Sequence, residues 1–273
     1  MSSSPSRVLS LALLAGAFAL GQSSCDAAGL IWKLPADGTS ATYSGTYSQL
    51  VRRTDPTQQD VTLTWNRTIT IRSVGREDVD IDGRRVPARW IEIEQSTGRQ
   101  EGGVIQAGPG GRVIVKLLVP ESSISGDTVD EVGVPQSFIP IVEGYRQVDD
   151  EPVQKLDAMA FDPSPQVTLL GQPQRLSAGG ETDSVSIGGR TMSGEVWTAE
   201  SVIESRRKKV EIQTQLTMSG ESPFGPLGWD VTVASQQKQA GQSRDEFIPT
   251  TQTDESMKLV AVSDGATSLL STP

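Results

Sequence analysis

The feature that most constrains the fold of this chain is a period-two alternation of apolar and polar residues. In residues 61–71, Val61, Leu63 and Trp65, then Ile69 and Ile71, occupy odd positions, and mainly polar residues separate them. The same parity pattern returns in residues 210–218, 229–233 and 257–261, whereas no window after residue 28 has the stripe of a long helix. These patterns predict a mainly β protein: a single antiparallel curved sheet or half-barrel in one domain spanning residues 28–262.

Three local signals refine this sheet. Asp82-Gly83, between two alternating runs, predicts a tight hairpin. The adjacent apolar residues Trp90 and Ile91 change the facing of their strand and predict a bulge near Trp90. Residues 113–119 are apolar except for one lysine, which predicts a strand covered on both faces, and the glycine-rich residues 108–111 before it predict a turn.

The middle of the chain has a different character. Residues 121–180 contain six prolines, which are unsuited to central strands. We therefore expect a partly helical segment, with a short helix over residues 153–159, that crosses the sheet and covers one face. Residues 263–273 are predicted to form a flexible tail.

The N-terminus has the pattern of an export signal. Residues 8–20 form an apolar run that is too short to span a bilayer comfortably. At its end, Ala17-Phe18-Ala19 and Ala19-Leu20-Gly21 have the small-x-small pattern that signal peptidase cleaves. Residues 1–24 are therefore predicted to be a signal peptide that directs the protein to the periplasm or cell envelope. Cys25 lies where a lipoprotein carries its acylated cysteine, although Gln22 and Ser24 do not match the usual preceding residues. Lipidation of Cys25 and an unmodified thiol both remain open.

Composition excludes several reaction classes. The chain has no histidine, one cysteine and a net charge of −10. Ser-His-Asp and Cys-His nucleophile systems, histidine-ligated metals and an intramolecular disulfide are therefore excluded, and no metal or cofactor site is predicted. Acid-only catalysis by paired carboxylates remains open, with Glu92 and Glu94, or Glu200 and Glu204, each on one face of a strand. The simplest interpretation of Glu92 and Glu94 is that both are solvated.

Two charged runs have competing interpretations. Residues 78–83 resemble the start of a calcium loop, but position twelve is Arg89 instead of a bidentate glutamate, and a hairpin explains the alternation better. Residues 206–209, Arg-Arg-Lys-Lys, are a hairpin tip or edge whose charges oppose sheet pairing, or a contact for anionic lipid headgroups. Nucleic acid is not predicted as a partner, because the chain is acidic and four basic residues make a narrow face.

Arg67 shares the parity of the apolar face of its strand. Such an arginine either lies on an edge strand, where its charge prevents pairing with another sheet (an edge guard), or lies at the mouth of a pocket, where it binds an anion. With the large aromatic residues it defines the candidate ligand-binding set: Arg67, Trp65, Trp90, Phe224 and Trp229.

Several stretches carry a family resemblance. Residues 32–38, 43–47, 119–121 and 138–146 resemble a family of uncharacterised exported bacterial proteins. Pro223-Phe224-Gly225, followed by Trp229, more loosely resembles exported proteins of the lipoprotein-carrier half-barrel type. The second resemblance implies a sheet curled around a plug, with an apolar concave face suited to acyl chains. Neither resemblance supplies a catalytic motif.

Together these patterns predict a non-catalytic envelope protein. It would bind or carry an apolar or lipid-like ligand, or a partner protein, on the concave face of its sheet. The alternatives are a carboxylate-dependent hydrolase of an envelope glycan, which needs two carboxylates about 5 to 10 Å apart across a groove, and a structural envelope protein.

Overall fold

A computed structural model describes residues 31–53, 57–101, 104–124, 139–157, 160–161 and 175–271. The predicted signal peptide, Cys25 and Phe138 lie outside these residues. The described strands are β1 Ser40–Val51, β2 Val61–Ile81, β3 Arg84–Glu101, β4 Val104–Pro120, β5 Ile139–Pro140, β6 Glu143–Val148, β7 Gln154–Lys155, β8 Ala160–Phe161, β9 Arg175–Ile187, β10 Arg190–Glu204, β11 Lys208–Met218, β12 Pro226–Gln237 and β13 Ile248–Ser263. Two short 3-10 turns span Glu121–Ser123 and Arg244–Glu246.

The predicted mainly β, antiparallel curved sheet is confirmed. Within the described residues, eleven strands form one sheet in the order β7-β6-β4-β3-β2-β1-β13-β12-β11-β10-β9, and this sheet is not closed into a barrel. Among the described strands, β5 and β8 alone pair outside this sheet. The first and last described strands are neighbours in this sheet, because β1 lies between β2 and β13. Register shifts interrupt six of its pairings, and such bulges bend and twist strands.

One face of the sheet carries the main apolar core, and we call it the inner face. The predicted parities are confirmed for the residues that build this core from both halves of the sheet, including Ile69, Ile71, Ile212, Leu216, Trp229, Val231, Met257 and Leu259. The first half of the run on β2 does not join the core, because Leu63 is 42% exposed and Val61 and Trp65 are only half-buried. Burying this continuous surface contributes roughly 25 cal/mol per Å² of apolar area. The prediction for residues 113–119 is also confirmed, since residues 114–119 are buried on both faces.

The local turn signals had mixed outcomes. The hairpin at Asp82-Gly83 is confirmed, and both residues have the positive φ that such a turn requires (52° and 75°). A bulge lies near Trp90, but its extra residue is on β2, because Val74 and Gly75 together oppose Trp90. The turn predicted at residues 108–111 is wrong: these residues belong to β4, where pairing with β3 skips from Ala107 to Arg112 and leaves them as a local bulge.

The predicted short helix over residues 153–159 is wrong in its described part. Gln154 and Lys155 form β7, which pairs with Arg146 and Tyr145 of β6. Cross-strand hydrogen bonds outweigh local propensity here, as is common for short segments. The proline-rich segment thus adds β6 and β7 to the edge of the sheet beside β4, where proline is tolerated. Ile124, Ile141 and Leu156 from the same segment pack against the inner-face core.

The turns and loops that connect the strands lie at the two ends of the sheet, which we call the upper and lower ends. The upper end holds the turns at residues 82–83, 188–189 and 219–225, and Ile31, which begins the described chain. Trp32 donates its backbone N–H to the Phe224 carbonyl at 2.9 Å, which fixes this segment at the upper end. The lower end holds the connections at residues 52–60, 205–207 and 238–247.

Candidate functional site

The candidate site centres on Glu255, which sequence analysis did not select. On β13, Glu255 shares its parity with Met257 and Leu259, which belong to the inner-face core. Its side chain is 0% exposed. A carboxylate in an apolar stripe is costly unless it is paired and hydrogen-bonded. The shared parity with Met257 and Leu259 was the sequence signal that could have identified it.

Both oxygens of Glu255 have partners. Trp229 on β12 donates its indole Nε1–H to Oε1 at 2.7 Å. Arg67 on β2 forms an ion pair with Oε2 through Nη1. The structure therefore brings together Arg67 and Trp229, two of the five predicted ligand-binding residues, through a third residue that joins them.

The Arg67 guanidinium is held on three sides. Its Nε donates to the Thr97 hydroxyl at 3.0 Å, and its central carbon lies 4.0 Å from the centroid of the Tyr47 ring, a cation–π geometry. Only 11% of the Arg67 side chain is exposed. The edge-guard interpretation is wrong, because β2 lies between β1 and β3. The anion that Arg67 meets is the chain's own Glu255.

Two aromatic pairs flank this ion pair on the inner face. Tyr43 and Trp229 lie with ring centroids 5.0 Å apart and are fully buried. The Tyr43 hydroxyl donates to the Pro226 carbonyl at 3.0 Å, and burial raises the pKa of Tyr43. Tyr47 and Trp65, 5.9 Å apart, are only half-buried. The Tyr47–Trp65 pair is therefore the part of the cluster that solvent or a ligand reaches.

The remaining predicted residues lie elsewhere. Phe224 is fully buried in the inner-face core at the upper end of the sheet. Trp90 is half-buried and belongs to a second apolar cluster with Ile114 and Tyr145. Its ring lies 6.2 Å from that of Tyr145 and 5.0 Å from the Lys116 ammonium nitrogen. Pairing of β3 with β4 is uninterrupted from residue 88 to 96, so Trp90 faces away from Ile91 and from the inner face.

The face that carries Trp90 is partly covered by the C-terminal residues, for which the sequence predicts a tail. Leu270 is 2% exposed and packs in the second apolar cluster. Glu92 accepts hydrogen bonds from the Ser268 hydroxyl at 2.8 Å and from the backbone N–H groups of Leu269 and Leu270 at 2.9 and 3.1 Å. Lys116 donates to the Leu270 carbonyl at 3.3 Å. The expectation that Glu92 is solvated is therefore wrong, because residues 268–270 cover it.

Glu94, the predicted partner of Glu92, is bound to arginines. Arg72 and Arg112 contact its two oxygens at 2.6 and 2.7 Å. Burial raises the pKa of Glu94, but the hydrogen bonds and charges of Arg72 and Arg112 outweigh burial, and the pKa lies below its ordinary value of 4.5. Arg72 also lies 3.6 Å from Glu92. Arg72 and Arg112 favour the ionised form of Glu94, whereas the general acid of a glycoside hydrolase is a protonated carboxyl group.

The lowered pKa of Glu94 predicts a pH-dependent stability. The ionised form is stabilised in the folded protein, so its contribution is present above pH 4.5 and is lost as the pH falls through the lowered pKa. Urea unfolding of wild type and Glu94→Gln should show a lower midpoint for the variant at neutral pH and converging midpoints in acid. A difference that is constant with pH would contradict this assignment.

The two members of the second predicted carboxylate pair, Glu200 and Glu204, have different surroundings. Glu204 binds Arg244 at 2.8 Å. Glu200 lines a shallow surface depression of about 300 Å³ on β10, β11 and β12, together with Gln213, Gln215, Asp230 and Thr232. These residues are polar and mostly exposed. In the described residues, no group of three or more histidine, cysteine, aspartate or glutamate side chains is arranged to hold a metal ion.

The protein is thus a curved antiparallel β-sheet protein with a buried ion pair, Arg67–Glu255, on the inner face of the sheet. Neither a scan against protein-family models nor a search of curated proteins finds a match to this chain. Among the described residues, the helical turns are too short to cross a membrane.

Proposed function

We propose that this protein is an exported envelope protein that binds or carries an apolar or lipid-like ligand on the concave inner face, without catalysing a reaction. The observation that supports this most directly is the half-buried Tyr47–Trp65 pair beside Arg67. Aromatic side chains at the border of an apolar surface are typical of sites where one end of a ligand is apolar and the other is hydrated. A partner protein that presents an apolar segment is the other occupant of the same surface.

The charges of the site favour a particular ligand chemistry. Glu255 neutralises Arg67, so the pair presents no net charge to a ligand. A strongly anionic ligand would have to displace a buried carboxylate, which is costly. A neutral apolar chain with a small polar group fits this environment better than a charged metabolite.

The proline-rich residues 121–180 complete the proposal as a cover over the inner face. Ile124, Ile141 and Leu156 already pack against the core there. In this proposal, the sheet is a half-barrel and the remainder of the segment encloses the ligand. Export through residues 1–24, periplasmic or envelope location and tethering through Cys25 belong to the same proposal. They rest on the sequence pattern of residues 1–30.

The test begins with solvent extraction and mass spectrometry of the purified protein, where we expect a co-purified apolar compound. Binding of a fluorescent monoacylglycerol analogue, whose polar group is neutral, is then measured by titration. Trp65→Ala should weaken binding by about tenfold, because an aromatic contact contributes on the order of 1 kcal/mol beyond its buried area.

Trp90→Ala is the matched control for this titration. It removes the same side chain from the opposite face and should leave affinity unchanged. Equal losses in both variants, or no extracted compound and no binding, would reject the proposal in favour of a structural role.

A further inference from the structure

The lower end of the sheet carries two neighbouring turns whose residues have no role in the inner-face site. The β10–β11 turn follows Glu204, and the β12–β13 connection follows Gln237. The four strands are adjacent and antiparallel, so both connections lie at the same end. The backbone N–H of Lys238 donates to the Arg207 carbonyl at 3.1 Å, which joins them directly. We call residues 202–209 and 237–248 the basic rim.

The basic rim has a charge opposite to that of the whole protein. It holds six basic and three acidic side chains, a net charge of +3 in a chain of net charge −10. The acidic side chains have partners within the rim: Glu204 binds Arg244, and Asp245 and Glu246 accept from Ser243. Arg206, Arg207 and Lys208 are exposed and form no side-chain ion pair with any described residue.

Protection of a sheet edge does not explain these cations. The hairpin tip predicted at residues 206–209 is confirmed. However, β11 is flanked by β10 and β12, and β9 lies beyond β10, so the tip is at the end of the strands and not along an exposed edge. Charges at this position do not block strand pairing, which occurs along edges.

Apolar side chains are exposed beside the cations. Ile203 is 50% exposed and Ile248 is 62% exposed. Ile203 precedes the β10–β11 tip, and Ile248 pairs with Gln237 at the start of β13. Exposed β-branched side chains next to unpaired cations match a lipid bilayer surface, where apolar groups insert below the headgroups and cations meet the phosphates.

We propose that the basic rim docks on an anionic lipid bilayer. Arg206, Arg207 and Lys208 contact the headgroup phosphates, and Ile203 and Ile248 insert beneath them. The rim lies at the opposite end of the sheet from Ile31. The proposal does not depend on a ligand being bound at the inner face.

Vesicle co-sedimentation of the full chain carrying Cys25→Ser tests this proposal without a lipid anchor. We expect binding to vesicles that contain phosphatidylglycerol, weaker binding to phosphatidylcholine vesicles, and loss of binding as salt is raised. Arg206→Glu with Arg207→Glu should weaken binding to anionic vesicles by more than about tenfold, since each cation near a charged membrane contributes substantially. Ile203→Ser with Ile248→Ser should weaken it by several-fold.

Arg84→Glu with Arg85→Glu is the matched control. These arginines are also exposed and also adjoin a hairpin turn, but at the upper end, next to Asp78, Asp80 and Asp82. This variant should bind like the parent protein. The proposal would be overturned if both arginine variants lost vesicle binding equally, or if Arg206→Glu with Arg207→Glu lost none. An effect of the arginines without any effect of the isoleucines, with full competition by a soluble polyanion, would also overturn it in favour of an acidic macromolecule.

Discussion

Replacing Glu255 with alanine is expected to lower the free energy of unfolding by about 3–5 kcal/mol, the usual cost of removing one partner from a buried ion pair. The substitution leaves the Arg67 guanidinium, only 11% exposed, without its counter-ion. It also leaves the Trp229 indole N–H without its acceptor. Unfolding in urea, followed by tryptophan fluorescence and far-UV circular dichroism, measures the loss.

The double variant Glu255→Leu with Arg67→Met separates the cost of an orphaned charge from the net value of the pair. Removing both charges avoids leaving either one alone, and well-packed apolar replacements of buried pairs are often neutral or stabilising. We expect the double variant to recover most of the stability lost in Glu255→Ala. If the double variant is as unstable as the single one, the cluster depends on the hydrogen bonds to Trp229 and Thr97 more than on charge pairing.

Leu270→Ala is expected to cost about 2–5 kcal/mol, the range for truncating a buried leucine. Leu270 is 2% exposed between Ile114, Tyr145 and Trp90, and it holds residues 268–270 over Glu92. Chemical denaturation measures the loss. Hydrogen exchange at the amides of Leu269 and Leu270 reports whether this segment leaves the sheet before the protein unfolds.

Leu269→Ala is the matched control for this prediction. Leu269 is adjacent and of the same type but 46% exposed, and its backbone N–H still donates to Glu92 in the variant. Its effect should stay within about 0.5 kcal/mol, as is usual for surface positions. Equal effects of the two substitutions would mean that residues 268–270 do not stabilise the sheet through Leu270.

Local sequence signals predicted the sheet well where short-range chemistry decides the structure. Positive-φ tolerance at Asp82-Gly83 specified the hairpin, and strand periodicity correctly predicted that Ile69 and Ile71 face the core. The run at residues 113–119 was correctly predicted to be covered on both faces. The same reasoning failed for Gln154 and Lys155, because the hydrogen bonds that make them a strand come from β6.

The candidate site was predicted only in part. Parity placed Arg67 and Trp229 on the apolar face, but Glu255 was not selected, and it lies 188 residues from Arg67 in the chain. Glu92 was assigned to solvent because nothing in its own strand shows that residues 268–270 cover it. A pattern within one strand gives the side on which a residue lies, but not the group that it meets there.

The amino-acid sequence by itself determined the class of fold, the hairpin at Asp82-Gly83 and the apolar face of several strands, because these depend on steric preferences and on alternation over a few residues. Only the tertiary structure decided that β1 lies between β2 and β13. That pairing brings Glu255 of β13 to Arg67 of β2, whereas Trp229 lies on β12, which pairs with β13 directly. The physical reason is that burial of a charge is stable only when distant strands supply its partners, and strand order is a property of the whole chain.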